Sequence, residues 1–321
     1  MKVLILPVFT IIILACVGLA AKERDFTIHV ATWNVNGRKP TTITNLIGQN
    51  SDKYENLPDM VIVGLQEVTM SAVKAVSNAL TGELWSETME KTLKSNYQKV
   101  KSVALLGIVL NVFLKLNTAW ALKNAAVDEV TTGMVGLYGN KGGVIMKSQL
   151  HDLMFCIVNA HFHAHDKGQE SRIKDYKEIN EGREKLCTPK SDFIFWLGDL
   201  NFRIVEKDKY TPESIEKFIK KKDYDELLAN EQLKEAKDAG KIFKDYQEGK
   251  IKFAPTFKLN VDEGTYNLKR RPSWTDRVLY KSETNKNIDV LAYHSLENHT
   301  RSDHFPVMAQ YKIKVPDNDK K

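Results

Sequence analysis

Short apolar runs alternate with charged, helix-like segments along most of the chain. Eight runs have the length and residue content of strands; they begin at Phe26, Asp59, Ser102, Gly142, Leu153, Asp192, Trp274 and Phe305. Residues 171–186 and 212–243 space apolar positions among charges as surface helices do, with Ser214 and Asp223 near plausible helix starts. Strands interleaved with helices predict an α/β domain with sheet at its core.

Polar residues that suit metal or phosphate fall where the predicted strands end. The apolar run 193–197 leads to Asp199 and Asn201, and a backbone that stays extended would place both, with Arg203, on one face. Because each unpartnered buried polar group costs roughly 2 to 7 kcal/mol, we expect partners for them. Similar groups lie at the ends of four other predicted strands: Asn34, Glu67, Asn159 with His161, and Asp303 with His304. Taken singly, each of these residues is typical of a turn or is an ordinary histidine. Together they predict that the polar strand ends meet at one edge of the sheet, here called the rim, and hold a hard cation there.

Composition predicts a single large domain. The 321 residues are 42% hydrophobic and 27% charged, which is ample for one core. Lys and Arg exceed Asp and Glu by 47 − 41 = 6, an excess typical of a solvated surface and compatible with a polyanionic substrate. No repeat or low-complexity linker interrupts the chain from about Lys22 onward.

The first residues have the pattern of a secretory signal peptide. Residues 3–21 carry no charge and end in small residues, so we expect cleavage after Ala20 or Ala21. An uncleaved membrane anchor is the alternative, which Pro7 and the small-residue end disfavour. The lipobox reading of Cys16 is weaker still. We therefore predict a signal peptide over 1–21, a domain over 22–321, and a secreted protein.

The remaining cysteines do not form a disulfide scaffold. Cys156 lies inside an apolar run, so we expect a buried free thiol there, with a bridge to Cys187 as the alternative. The sequence Asn298-His299-Thr300 is a glycosylation sequon that a secreted chain could use.

Five longer motifs resemble one known family. They are "GNKGGV" (139–144), "NAHFHAH" (159–165), "WLGDLNFR" (196–203), "FAPTFK" (253–258) and "RRPSWTDRVL" (270–279). In this order they resemble the exonuclease, endonuclease and phosphatase superfamily, in its inositol polyphosphate 5-phosphatase branch, over almost all of the mature chain. The fold implied is α/β: a four-layer sandwich of two mostly antiparallel or mixed β-sheets packed face to face, with helices outside and the site at one edge.

The resemblance and the residue chemistry together assign a Mg²⁺-dependent hydrolysis by water. The predicted metal ligands are Glu67, Asn34 and Asp303, because Mg²⁺ prefers few carboxylates. Asp199 would activate or orient the water, while Asn201 holds the phosphoryl group. His304 would stabilise charge or transfer a proton.

Two further residues complete the predicted catalytic set. Asp276 would fix the tautomer of His304; a salt bridge to Arg277 is its alternative role. His161 would contact the scissile phosphate. His165 is expected near the site.

Basic residues near the second signature suit a neighbouring ring phosphate. The predicted substrate-binding residues are Lys258, Tyr266, Lys269, Arg270 and Lys141, and a surface-turn lysine is the alternative for Lys141. We expect removal of the 5-phosphate from phosphatidylinositol 4,5-bisphosphate, phosphatidylinositol 3,4,5-trisphosphate and soluble inositol polyphosphates, with transient membrane contact. The segment 104–117 is either a loop that touches the bilayer or a buried strand. We expect a monomer that binds no nucleic acid.

Two other functions remain open on the sequence. A metal-dependent nuclease of the same superfamily would use nearly the same rim. A secreted haem-binding, nitrophorin-like carrier on this fold would need a thiolate or histidine ligand, for which Cys187 is a candidate.

Overall fold

Twelve strands form two six-stranded sheets in this computed structural model, which describes residues 22–41, 43–49, 53–68, 75–133, 141–188, 190–283 and 286–317. The strands are β1 (Glu23–Asn34), β2 (Met60–Gln66), β3 (Tyr97–Leu105), β4 (Ile108–Lys115), β5 (Leu122–Thr131), β6 (Gly142–Leu150), β7 (Leu153–His161), β8 (Phe193–Asp199), β9 (Gln247–Glu248), β10 (Asp276–Ser282), β11 (Asp289–Ser295) and β12 (Val307–Pro316). The first sheet has the order β11-β12-β1-β2-β4-β3, and the second has the order β5-β6-β7-β8-β10-β9.

The main core lies between the two sheets. Alternate residues of β1, such as Phe26 and Ile28, face inward and pack with Ile157 and Phe195 of the second sheet. Their neighbours along each strand face outward, as the two-residue period of a strand requires. Since both faces of the central strands are covered, these strands read as almost continuous apolar runs.

Helices cover the outer faces of the sheets and also pack on the main core, as the helical residue Leu227 does. The helices are α1 (Ala75–Leu93), α2 (Gln169–Leu186), α3 (Pro212–Lys220), α4 (Tyr224–Leu228) and α5 (Gln232–Asp238). Trp85 and Met89 of α1 pack on the first sheet. Ile173 and Ile179 of α2 pack on the second. The result is the predicted sandwich of two mixed sheets between helical layers, so the fold-class prediction is confirmed.

Several element predictions need correction. The run 102–112 is a hairpin, because Leu106 and Gly107 adopt positive φ and turn the chain between β3 and β4. Every residue of β4 is buried. Most of the segment 104–117 is therefore a buried strand and not a loop that could touch a bilayer. The helical segment 212–243 divides into α3, α4 and α5, and the side chain of Thr211, rather than Ser214, caps α3.

A disulfide bond joins Cys156 of β7 to Cys187, the residue that ends α2. The expectation of a free thiol at Cys156 is therefore wrong. Because α2 packs on the outer face of the second sheet, its C-terminal end brings the two Cα atoms to 6.0 Å, within the usual range for a bridge.

No helix in the described part of the chain is long and apolar enough to span a membrane. The predicted signal peptide, residues 1–21, lies outside the described residues.

Candidate active site

Polar strand ends from both sheets meet at one edge of the sandwich. β7 and β8 are parallel and both end here, which pairs His161 with Asp199. β10 begins at the same edge, and Asp276 pairs with Asp199 from the other side. In the first sheet, the parallel strands β1 and β2 end at Asn34 and just before Glu67. Register therefore brings together groups that are far apart in the sequence.

Asp199 lies at the centre of this rim. Its Oδ2 accepts a hydrogen bond from Asn34 Nδ2 at 3.0 Å, and its Oδ1 accepts one from the backbone N–H of Asn201 at 3.1 Å. The extended backbone stops at Asp199, since Asn201 has a φ of 56°, so the idea of one continuous extended face through Arg203 is wrong. Even so, all three side chains are buried, with Arg203 donating to the oxygens of Asn201.

The Asp199 carboxyl is held in its charged form. Burial alone would raise its pKa, but His304, His161 and Lys141 outweigh burial and hold the pKa well below its ordinary value. Asp199 is therefore an anionic hydrogen-bond acceptor across the physiological pH range.

Asp276 and His304 form a buried pair beside Asp199. Asp276 Oδ2 lies 2.8 Å from His304 Nδ1, and it also accepts hydrogen bonds from Thr256 and Thr275. The opposite ring nitrogen, His304 Nε2, lies 3.9 Å from Asp199 Oδ2. Burial alone would lower the pKa of His304, but the Asp276 and Asp199 carboxylates outweigh it and raise the pKa to about 9.

The alternative role for Asp276, a salt bridge to Arg277, is wrong. Adjacent strand residues point to opposite faces. The Arg277 guanidinium instead pairs with Glu231 at 2.8 Å and with Glu248 at 2.7 Å, both on the far side of β10.

Lys141 and Glu67 meet at His161. Lys141 Nζ contacts both ring nitrogens of His161, and the Lys141 side chain is buried rather than exposed at a surface turn. Burial lowers the pKa of Lys141, although the carboxylates of Asp199 and Glu67 oppose this. His161 Nε2 lies 3.4 Å from Asp199 Oδ2 and 3.7 Å from Glu67 Oε1.

A cavity of about 230 Å³ opens over these groups. The predicted residues that line it are Glu67, Lys141, Asp199, Asn201, Lys258, Arg270, Asp303 and His304. Asn34, His161 and Asp276 are buried behind that lining.

Two predicted substrate residues are not part of the cavity lining in the described chain. The Tyr266 hydroxyl donates to the carbonyl oxygen of Pro255, and burial raises its pKa. Lys269 is exposed. Their role in binding stays a prediction.

Oxygen ligands that suit Mg²⁺ are available at this rim. The Glu67 carboxylate faces the cavity and points to the same His161 nitrogen as Asp199. Asn34 Oδ1 accepts one hydrogen bond, from the Asn36 N–H, and keeps a second lone pair. Glu67 and Asn34 therefore fit a hard cation that retains water ligands.

Two other acidic groups fit less simply. Asp303 Oδ2 binds Lys258 Nζ at 2.6 Å, so the other oxygen, Oδ1, is the one that remains for a metal. Asp199, Asp276 and His304 each place a potential ligand atom within 4.8 Å of the others. Because Asp276 Oδ2 and His304 Nδ1 are committed to each other, this trio fits a hydrogen-bonded relay better than a Mg²⁺ cage.

Several cavity residues were missed by sequence reasoning or left without a role. Arg203 lines the cavity, and its guanidinium stacks 4.4 Å from the Phe257 ring centre. Asp166 also lines the cavity and pairs with Arg271 at 3.0 Å. Arg203 and Arg271 belong to signature motifs, which was a usable signal, whereas nothing in the local sequence marks Asp166.

Arg172 of α2 holds the loop that follows β7. Its guanidinium donates to the carbonyl oxygens of His163 and His165 at 3.0 and 2.8 Å. Asp175, one turn further along α2, accepts from the backbone N–H of His163 at 2.7 Å. His165, expected near the site, lines the cavity.

A two-sheet sandwich with carboxylate, amide and imidazole groups at one edge defines the exonuclease, endonuclease and phosphatase class of fold. The model of the Endonuclease/Exonuclease/phosphatase family 2 matches residues 31–310. The chain belongs to this family.

Individual proteins support this assignment. The chain is 35% identical over 307 residues to the Type II inositol 1,4,5-trisphosphate 5-phosphatase of Mus musculus, covering 91% of this chain and 30% of the relative. It thus spans less than a third of the length of the curated relatives that it matches.

Two solved structures are similar over almost the whole chain. The inositol polyphosphate 5-phosphatase domain of SPsynaptojanin, in complex with inositol (1,4)-bisphosphate and calcium ion, superimposes with a TM-score of 0.77 at 27% identity, covering 92% of this chain and 86% of that one. The Cimex nitrophorin ferrous NO complex gives 0.76 at 26%, covering 91% and 99%.

Proposed function

We propose that the protein is a Mg²⁺-dependent phosphatase that removes the 5-phosphate of phosphoinositides, and of soluble inositol polyphosphates, by direct attack of water. The observation that carries this proposal is the convergence of Asp199, the Asp276–His304 pair and basic side chains around one cavity. The names of the similar proteins point to the same chemistry.

Asp199 orients the attacking water. As a buried carboxylate with a depressed pKa, it accepts a hydrogen bond from water without being neutralised first. Asn34 and the backbone of Asn201 hold the carboxylate in place, so little reorganisation is needed when the water moves toward phosphorus. The Asn201 amide, on the cavity wall, contacts the phosphoryl group.

His304 acts as an imidazolium. With a pKa of about 9 it is protonated at neutral pH, so it is a hydrogen-bond donor to the phosphoryl oxygens rather than a base. Asp276 binds Nδ1 and leaves Nε2 directed toward Asp199 and the reacting centre. Lys141 Nζ donates toward the His161 ring, so His161 positions Lys141, which lines the cavity and faces the phosphate.

Glu67 and Asn34, joined by Asp303 through its Oδ1, would hold Mg²⁺. A bound Mg²⁺ ion would neutralise charge on the phosphate and help the alkoxide to leave.

The basic side chains at the mouth select a substrate with more than one phosphate. Lys258, Arg270 and Arg203 line the cavity, and Arg203 is the most buried of the three. A guanidinium and an ammonium side by side suit the phosphate next to the one removed. We extend the proposal to phosphatidylinositol 4,5-bisphosphate and phosphatidylinositol 3,4,5-trisphosphate, with transient contact to the membrane that carries them.

We further propose that residues 1–21 are a cleaved signal peptide and that the domain over 22–321 is secreted as a monomer. The Cys156–Cys187 bridge supports this, because disulfides persist in oxidising compartments.

The haem-carrier alternative loses its candidate ligand. Cys187 is bonded to Cys156, so it offers no thiolate to iron while the bridge is intact. The similarity to Cimex nitrophorin keeps the haem carrier as an alternative, which the absence of a Soret band would exclude.

Phosphate release tests the proposal. Purified protein should release inorganic phosphate from phosphoinositides with Mg²⁺, and the rate should collapse with chelator or in Asp199→Ala. Intact plasmid DNA and the lack of a Soret band should accompany that activity. Equal release by wild type and Asp199→Ala would defeat the proposal, and cleavage of DNA in its place would favour the nuclease.

A further inference from the structure

We propose that Asn298 carries an N-linked glycan, and that this glycan limits access of the candidate active site to lipid bilayers. The second part rests on the proposed phosphatase function, while the first part rests only on passage through the secretory pathway. Two independent observations support modification: the geometry of the sequon and the presence of a disulfide bond in the same chain.

Asn298 lies at the tip of a turn. The backbone N–H of His299 donates to the carbonyl oxygen of Leu296 at 3.1 Å, which closes a β-turn with Glu297 and Asn298 at its centre. Asn298 is exposed, and no hydrogen bond to its side chain is seen among the described residues. Its amide nitrogen is therefore free to be modified without loss of a native contact.

The residues on its C-terminal side hold the turn in place. The His299 ring packs 5.5 Å from that of Trp33. The carbonyl oxygen of Thr300 accepts a hydrogen bond from the Asp262 N–H at 2.7 Å. Asn298 is exposed at the border of an open cavity that it shares with Trp33 and His299, so a large substituent there can extend into solvent without displacing these contacts.

The sequon supplies the chemistry of transfer. The Asn298 amide nitrogen would form a bond to the anomeric carbon of an oligosaccharide donated by a lipid diphosphate. The bond from that carbon to the diphosphate oxygen breaks, the lipid diphosphate leaves, and the amide proton is lost to a base of the transferase. No oxidant or reductant is needed. The Thr300 hydroxyl completes the acceptor sequence.

The turn stands at the same edge as the cavity. Ser295 pairs with Val307, and Val307 pairs with Thr32, two residues before Asn34 of the rim. The same connection continues into Asp303 and His304, which line the cavity. A glycan on Asn298 therefore projects from the edge that a bilayer must approach. A small soluble inositol phosphate can diffuse past the glycan into the cavity, whereas the glycan keeps a flat membrane surface from reaching the cavity.

The experiment uses the full chain, expressed in a eukaryotic secretory cell and recovered from the medium. Wild type should shift to higher mobility after treatment with peptide N-glycosidase, with Asn298 deamidated in peptide mapping. Asn298→Gln and Thr300→Ala should lack the shift. Thr300→Ser, which keeps the hydroxyl, should retain it. Secreted wild type without the shift overturns the proposal, and so does a chain that stays inside the cell unmodified.

The functional part has its own readout. For glycosylated wild type, Asn298→Gln and Thr300→Ser, rates are compared on vesicles that contain phosphatidylinositol 4,5-bisphosphate and on soluble inositol 1,4,5-trisphosphate. The vesicle-to-soluble rate ratio should rise several-fold in Asn298→Gln only. An unchanged ratio overturns the steric role. Absence of activity on both substrates would instead count against the phosphatase proposal, because glycosylation is read by mobility alone.

Discussion

Replacing Asp276 by Asn removes the carboxylate nearest to the His304 imidazole, while the side chain at position 276 keeps almost the same shape. In the wild type, that carboxylate and Asp199 raise the pKa of His304 from 6.5 to about 9 in spite of burial. The difference between these values corresponds to ~3 kcal/mol at about 1.4 kcal/mol per pH unit. We expect the pKa of His304 in Asp276→Asn to fall to its ordinary value or below, because burial then dominates.

The consequence for activity follows from the protonated fraction. At about pH 7.5, the imidazolium fraction falls from ~97% to ~9% if the pKa drops to 6.5. The rate should fall by at least about ten-fold, and the alkaline limb of the pH–rate profile should move to lower pH. The raised pKa also stabilises the folded state; this contribution is complete below pH 6.5 and is lost as the pH rises through about 9.

The direct assay is an NMR titration of nitrogen-labelled histidines in the metal-free protein. His29 serves as an internal control, because burial lowers its pKa to about 4 and its ring contacts the carbonyl oxygen of Leu46 rather than Asp276. The His304 signal should titrate near pH 9 in the wild type and near or below 6.5 in Asp276→Asn, with His29 unchanged. A His304 that titrates near 6.5 in both proteins would refute the reasoning.

Three other changes test separate parts of the structure. Arg172→Lys should lower kcat by about ten-fold with little change in KM, because lysine cannot make both hydrogen bonds that the guanidinium donates to the loop after β7. Steady-state kinetics on a soluble substrate measure this change, and an unchanged kcat would contradict the prediction. Reducing the Cys156–Cys187 bridge should lower the free energy of unfolding by about 3 to 4 kcal/mol, the entropic value for closing a loop whose ends are 31 residues apart. Identical urea denaturation curves with and without reductant would exclude this loss. Arg270→Met should raise KM by about ten-fold, while the control Lys250→Met, at an exposed position outside the cavity, should leave KM unchanged. If both substitutions change KM equally, Arg270 has no specific role in substrate binding.

The fold was largely predictable because its central strands are buried on both faces. β7 and β8 read as unbroken apolar runs for that reason, and both were predicted. β5 and β11 were missed, since most of their residues are exposed and no apolar pattern marks them. The turn inside the run 102–112 uses positive φ at Leu106 and Gly107; Gly107 was a usable signal, whereas positive φ is rare for leucine.

The site residues were predictable where a polar side chain lies at the end of a single apolar strand. Glu67 and Asp199 each follow an apolar strand, so parallel strands that end together deliver them to one rim. Long-range partners were not predictable in this way. The pairing of Lys258 with Asp303 and of Arg271 with Asp166 joins loops that are far apart in sequence, and the disulfide depends on where α2 ends over the second sheet.

Phosphorus NMR of the reaction with a soluble short-chain phosphatidylinositol 4,5-bisphosphate tests the central proposal most directly. With Mg²⁺ present, the signal of the 5-phosphate should disappear as inorganic phosphate grows, and the 4-phosphate signal should persist. Asp199→Ala should leave both signals unchanged. Loss of the 4-phosphate first, or no loss of either phosphate in the wild type, would contradict the proposal that this rim is a 5-phosphatase site.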